Sequence, residues 1–204
     1  MATTASTTSS LKPFLGNPIE ICVVTKDYKR TIAGLTALGI GPWRVYTFTP
    51  TNTTNQTYYG QSSAFTMKVC FAEFAAAGNP NQDGHTSTTT HSDSSSGAAS
   101  PMVYEVIQPI SGANIFQEFL DAHGEGIHHI AYNCNDIPFA ERIREFEARG
   151  WRFAQGGSWM GRNHFAFFVE DGPVDRTGTC FETISFPADW EYAEPEEWFP
   201  SRTA

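Results

Sequence analysis

The chain has 204 residues and carries 13 Lys+Arg against 22 Asp+Glu, a formal net charge of −9. A hydrophobic content of 40 %, with 16 Phe, excludes global disorder and suits one domain or two packed halves. The acidic balance speaks against a nucleic-acid partner, which needs clustered positive charge. No apolar run reaches the ~18–20 residues that cross a bilayer, so no membrane partner is expected.

Met1–Ser10 holds seven Ser/Thr in ten residues, with neither a basic start nor an apolar stretch. Residues 1–12 therefore read as a disordered lead without a secretory signal. A first module is expected over 13–110. Ile19–Val24 is a β-rich run, and Asp27 is placed to cap a helix over Tyr28–Leu38 that Gly39 ends. Gly-Pro-Trp43-Arg44-Val-Tyr46 opens the next strand, and Phe65–Phe74 and Met102–Ile107 supply two more. Between them, residues 78–100 collapse to Gly, Asn, Pro, Ser and Thr, with ten Ser/Thr among the fifteen of Thr86–Ser100. Such a stretch cannot bury enough apolar surface to offset its ordering entropy, and reads as an expanded surface loop.

A linker helix, Ile115–His123 closed by Gly124, falls within 111–126. The second module, 127–187, repeats the first. It has a strand at Ile127–Tyr132, then Asp136 as cap of a helix over Phe139–Arg149 with Pro138 in its first turn and Gly150 past its end. Trp151-Arg152-Phe153, His164–Val169 and Cys180–Phe186 follow. Gly156-Gly157 reads as a turn. Residues 188–204 form an acidic aromatic tail expected to dock Trp190, Trp198 and Phe199 on the body as a lid. The internal period implies an α+β fold of two tandem βαβββ modules forming a half-barrel cup. Cys22, Cys70, Cys134 and Cys180 sit far apart in apolar runs, which reads as buried free thiols in a reducing, cytoplasmic setting.

Four ionisable residues interrupt four of the apolar strands: Glu20, Glu105, His129 and Glu182. Side chains alternate faces along a strand. Glu20 then shares a face with Cys22 and Val24, and His129 with Ala131, while His128 points with Ile130 and Tyr132 to the other side. A lone Glu on a strand ordinarily faces solvent. Here the positions repeat, because Glu20 lies seven residues before Asp27 and His129 seven before Asp136. Glu105 and Glu182 each lie in the last strand of their module. If these strands line one cup, three carboxylates and an imidazole converge, and buried like charges cannot all stay ionised without a partner. A divalent cation would resolve the conflict. An oxygen-rich set with one imidazole suits Mg, Mn, Co, Ni or Fe better than a structural zinc.

Gly124-Glu-Gly-Ile-His-His-Ile-Ala-Tyr132 with Asn135-Asp-Ile137, Val103-Tyr-Glu-Val-Ile-Gln-Pro109 and Thr179-Cys-Phe-Glu-Thr-Ile184 together resemble the vicinal oxygen chelate superfamily. That superfamily comprises glyoxalases, bleomycin-resistance proteins, extradiol dioxygenases and methylmalonyl-CoA epimerases, and the epimerase-like branch is the most similar. The resemblance spans about Asn17–Pro187, omitting the Ser/Thr-rich insertion. It implies metal ligands on the first and last strands of each module, which fall on Glu20, Glu105, His129 and Glu182, and it suggests a homodimer through sheet edges. Glu20 departs from the pattern, which usually has His or a neutral amide. That departure opens a role for Glu20 as base rather than ligand, and counts against an Fe(II) dioxygenase with two His and one carboxylate. The resemblance further implies proton abstraction beside a carbonyl. Glu182 or Glu20 would take the proton, and a second group across the cup would return it. Lys68 aligns there, with Glu73 and His164 as alternatives.

The expected function is a small-molecule isomerase, epimerase or lyase that uses a divalent metal next to a carbonyl, as in a tailoring step of specialised metabolism. The scarcity of Lys and Arg makes a coenzyme A thioester less attractive. The alternatives are an Fe(II)-dependent dioxygenase and a non-catalytic protein that sequesters a planar compound. Trp43 and Trp151 recur in register, which predicts packing. Tyr58 and Tyr59 read equally as cup wall or strand, His85 and His91 as solvated loop residues, and Cys22, Cys70 and Cys180 as small core residues on the cup side.

Overall fold

The alternating apolar runs become strands that pair into one curled sheet. A computed structural model describes residues 13–73, 102–172 and 177–201; the lead, the insertion and its His85 and His91 lie outside the described residues. The first half comprises β1 (Pro18–Val24), α1 (Tyr28–Thr36), β2 (Trp43–Phe48), β3 (Thr53–Tyr58), β4 (Gln61–Ser62), β5 (Thr66–Glu73) and β6 (Val103–Ser111). Helix α2 (Ile115–His123) leads into β7 (Gly126–Tyr132), α3 (Phe139–Ala148), β8 (Trp151–Trp159), β9 (Asn163–Glu170) and β10 (Cys180–Ser185), and β11 (Glu197–Phe199) closes the chain.

The strand order is β11-β2-β5-β6-β1-β7-β10-β9-β8-β3-β4. β1 runs parallel to β6, β7 runs parallel to β10, and β1 meets β7 antiparallel at the centre. The sheet is thus two βαβββ units back to back, a half-barrel as the repeat predicts. α1 covers the outer face of the first unit, burying Ile32 against Trp43, Val45, Cys70 and Val106. α3 covers the second, where Phe146 stacks on Phe168 at 4.0 Å between ring centroids. With both helices outside, the inner face is left to the site. α2 closes one end of the cup, with Ile115, Phe116 and Leu120 in the same core as Cys22, Val24 and Phe167.

Asp27 caps α1 as expected, its side chain accepting from the Arg30 amide at 3.1 Å. Asp136 does not cap α3. Residues Cys134–Asp136 form a left-handed turn with φ of 51°, 53° and 57°, fixed by Asn133 Oδ1, which accepts from the Asn17 and Asn135 amides. Ile137 is then extended, as a residue before proline must be. Asp136 is left too far upstream, and the Pro138 carbonyl takes the amides of Glu141 and Arg142.

Gly156-Gly157 is not a turn but the middle of β8. A Cβ on Gly156 would lie 2.6 Å from Phe153 Cζ and 2.9 Å from the Phe165 carbonyl oxygen, so glycine here permits close packing. Gly156→Ala should therefore destabilise the fold by about 1–3 kcal/mol. In calorimetry, Gly172→Ala serves as the neutral comparison, since its Cβ would meet nothing within 4 Å.

Cys22 and Cys180 lie in the inner core, but Cys70 lies on the outer face beneath α1. The strand alternation of β5 puts Met67, Val69 and Phe71 inside instead. All four cysteines are free and buried. The tail crosses back over the cup. Trp190 is buried within the inner core, and β11 adds to the edge at β2 through Glu197↔Val45 and Phe199↔Trp43. No helix among the described residues is long and apolar enough to cross a membrane.

Candidate metal and active site

The four central strands β6, β1, β7 and β10 each project one donor onto the inner face. Register explains the convergence. Cys22 stands between Glu105 on one side and His129 on the other, and Ala131 stands between Glu20 and Glu182. Small side chains at these crossings leave the space over them to the longer Glu and His groups. Glu20, Glu105, His129 and Glu182 each offer an atom such that all lie within 4.8 Å of one another. His129 Nε2 is 3.2 Å from Glu105 Oε2 and 3.0 Å from Glu182 Oε2.

All four residues are buried, with His129 wholly so. Glu20 Oε1, Glu105 Oε2, His129 Nε2 and Glu182 Oε2 make no well-aligned hydrogen bond, the two His–Glu contacts being ion pairs, and a buried polar atom left unsatisfied costs about 1–3 kcal/mol. Burial, then the neighbouring Glu105 and Glu182, push the Glu20 carboxyl well above its usual range. Burial also raises Glu182, against the pull of His129. Burial alone would depress His129, but the Glu182 and Glu105 carboxylates overcome it and raise the imidazolium to about 9. Four unsatisfied donors, three of them carboxylate oxygens, fit a divalent cation. Adjacent ligands of an octahedral ion with ~2.1 Å bonds stand about 3 Å apart, close to the His–Glu spacings here.

His128 does not face away. The pairing of β1 with β7 slips by one residue, from Cys22↔His129 to Val23↔Ile127, and this bulge turns both imidazoles inward. Their Nδ1 atoms are 2.9 Å apart, and His128 packs against Phe116 and Phe119 of α2. Burial, then His129 and His123, hold the His128 pKa well below the ordinary imidazole value. Strict alternation concealed this partner. The doubled histidine in an apolar strand was its one signal.

Lys68 and His164 are not brought to the cluster. Both occupy outward positions on their strands. Lys68 Nζ bonds Thr47 Oγ1 and Glu196 Oε2, each at 2.7 Å, and the His164 ring lies 5.7 Å from Phe139 of α3. Glu73 is on the inward parity but is paired with Arg44 at 2.6 Å. Tyr58 and Tyr59 end a strand and its turn, and both hydroxyls bond the Glu118 carboxylate of α2. Trp43 is packing, as expected: it is fully buried, and its Nε1 bonds Thr36 Oγ1 and the Ile40 carbonyl.

The carboxylates floor a cavity of about 20 Å³, walled by Phe48, Phe71, Trp159, Phe165, Phe167 and Tyr192 among others. The sequence profile of the glyoxalase/bleomycin resistance protein/dioxygenase superfamily matches residues 20–169. The chain belongs to this superfamily. The matched span takes in Glu20, Glu105 and His129 and stops before Glu182. No curated protein matches the chain by sequence.

Among solved structures, the hypothetical protein BH1468 from Bacillus halodurans C-125 is 16 % identical at TM-score 0.50, covering 87 % of this chain and 97 % of that one. Methylmalonyl-CoA epimerase from Mycobacterium tuberculosis is 14 % identical at TM-score 0.47, covering 88 % and 94 %. A single-residue variant of Streptomyces coelicolor methylmalonyl-CoA epimerase, in complex with 2-nitronate-propionyl-CoA, is 19 % identical at TM-score 0.46, covering 84 % and 98 %. The architecture is the vicinal oxygen chelate fold.

Proposed function

We propose that the chain is a metal-dependent enzyme that shifts or removes a proton next to a carbonyl of a small, fairly apolar substrate, as an isomerase or lyase. The observation that carries this reading is the convergence of four buried ligand atoms, one from each central strand, none of which makes a well-aligned hydrogen bond. Glu105, His129 and Glu182 would hold the ion, since His129 Nε2 already approaches a carboxylate oxygen of each. A divalent ion there would act as a Lewis acid, stabilising the negative charge that develops on a carbonyl oxygen.

Glu20 is the proton acceptor in this reading. It faces the cavity from the same floor, and it occupies the place where the superfamily pattern usually has a ligand of another type. Its burial, which disfavours the charged form, gives it the basicity a proton abstraction near neutral pH requires. Among the described residues lining the cavity, Tyr192 is the only ionisable group besides the three glutamates. The Tyr192 phenol opposite is held protonated by burial, so Glu20 is the one base, which fits a proton shift along one face of the substrate, or an elimination, better than epimerisation by two opposed bases. A donor set with a single imidazole also disfavours the dioxygenase alternative. Four buried free thiols suit a cytoplasmic enzyme, and the acidic surface suits a substrate without phosphates, as in specialised metabolism.

The reading is tested by incubating Mn²⁺-loaded protein with a panel of ketones in D₂O and following deuterium uptake at the α-carbon. Uptake by the wild type and none by Glu20→Gln is expected. Uptake no faster than with the metal-free protein would remove the proposal.

His128 is the positioning partner of the ligand. Were His129 Nε2 to hold an ion, its Nδ1 would carry the proton and donate to His128 Nδ1, which lies 2.9 Å away. His128→Phe should weaken metal affinity about 10–100-fold by isothermal titration. His128→Asn, which restores an acceptor, should recover part of that loss, whereas a purely structural role would show no such rescue.

A further inference from the structure

The space over the carboxylate floor, about 20 Å³, takes little more than a water or an ion. An organic substrate can enter only by displacing something, and the chain shows what. Residues 186–196 run across the cup, and Phe186 and Tyr192 line the cavity from above. The far end of this strap is firmly tied. The Glu196 amide bonds the Val45 carbonyl at 3.0 Å, its carboxylate takes the Thr47 amide, Thr47 Oγ1 and Lys68 Nζ, and β11 pairs with β2. Between, Asp189 pairs with Arg162, the Trp190 amide bonds the Pro187 carbonyl and the Ala193 carbonyl accepts from the Tyr46 hydroxyl at 2.8 Å, while the side chains of Trp190 and Tyr192 are held by rings. Trp190 lies 5.6 Å from Trp159, and its buried Nε1 has no hydrogen-bond partner. Tyr192 lies 5.8 Å from Phe71 and 6.3 Å from Trp159, with the Arg44 guanidinium over its face at 4.5 Å.

Lifting these rings exposes a wall of Phe48 stacked on Trp159 at 4.6 Å and 24°, with Tyr46 edge-on at 4.9 Å. A flat aromatic ligand would restore the contacts that the strap gives up; an aliphatic one would restore fewer. A phosphate-bearing ligand finds no cationic lining among the described residues, because Arg44 is committed to Glu73 and three carboxylates form the floor.

We propose that the cup takes planar aryl carbonyl compounds, seated where the rings of Tyr192 and Trp190 lie, and not coenzyme A thioesters. This rests on the metal-centre reading above for the fate of the carbonyl, but not for the fit of the ring. The test is isothermal titration of Mn²⁺-loaded full chain with 1-indanone, cyclohexanone and acetyl-coenzyme A. 1-Indanone should bind at least tenfold more tightly than cyclohexanone, with no measurable heat from acetyl-coenzyme A. Tyr192→Ala and Trp190→Ala should each bind 1-indanone several-fold more tightly than the wild type, because the strap no longer competes. Equal or tighter binding of acetyl-coenzyme A, or weaker binding of 1-indanone by both variants, would overturn the assignment. Metal content measured in the same samples separates the two readings. Aryl preference without metal uptake upholds the substrate class and removes the metal centre; metal uptake without aryl preference does the reverse.

Discussion

Glu20→Gln is expected to give a more stable metal-free protein and an inert enzyme. The wild-type side chain is buried beside two other carboxylates, and its charge is opposed by burial first and by Glu105 and Glu182 next. An isosteric amide keeps the shape and removes the charge. The gain should be about 1–3 kcal/mol near pH 8, which is roughly 2–10 °C in melting temperature for a chain of this size. Deuterium exchange at the α-carbon should meanwhile fall by about 10²–10⁴-fold, the usual contribution of a positioned general base. A site that is more stable when disarmed is one whose charges serve something other than folding. If Glu20→Gln instead lowers the melting point and leaves exchange intact, Glu20 is a structural member of the network.

Stability and metal affinity should move in opposite directions with pH. Glu20 and Glu182 have folded-state values above the 4.5 of a free carboxyl, and His129 stands at about 9 against 6.5. The folded metal-free chain therefore holds more protons than the unfolded one. That contribution is fully present at the acid end and is lost as pH rises through the folded values. His128 acts in the opposite sense, since burial keeps it neutral, and the stability it contributes is present above 6.5 and lost towards acid. From pH 7 to 8 the His129 and glutamate effects dominate, and towards pH 9 the buried thiols of Cys22, Cys70 and Cys134, which burial raises above the ordinary 9.0, add in the same direction. The melting temperature of metal-free protein should fall there by roughly 5–10 °C, on the order of 2–3 kcal/mol. Metal binding requires the same groups without their protons, so affinity should rise over that window by up to about tenfold per pH unit for each proton displaced. Thermal scans with and without Mn²⁺ at pH 7, 8 and 9 check both slopes. Parallel slopes would mean that protons and metal do not compete for one site.

The period of the sequence carried the fold, because each unit repeats the same strand, cap and glycine signals. The two donors on β1 and β7 occupy equivalent places in that repeat, which is why the convergence is legible in the sequence. What was not legible has physical causes. β3, Thr-Thr-Asn-Gln-Thr-Tyr, has no apolar alternation, and its pairing with β8 of the other unit is long-range. Gly156 and Gly157 look like a turn, but they mark a close approach of the Phe153 and Phe165 rings. His128 was misplaced because the β1–β7 bulge breaks the two-residue period. Lys68 rests on the family resemblance and on the same strand parity that put Cys70 on the cup side, and β5 has the opposite parity, with Met67, Val69 and Phe71 inside and Lys68 and Cys70 outside.

We propose that Glu105, His129 and Glu182, with Glu20 beside them, hold one divalent ion. The most direct measurement is elemental mass spectrometry of the protein purified without a polyhistidine tag, alongside Glu182→Gln and His129→Ala. About one divalent ion per wild-type chain and none in either variant is expected, with all three proteins folded. A wild-type chain that takes up no ion after exposure to Mn²⁺, Co²⁺ and Ni²⁺, or variants that retain it, would contradict the account.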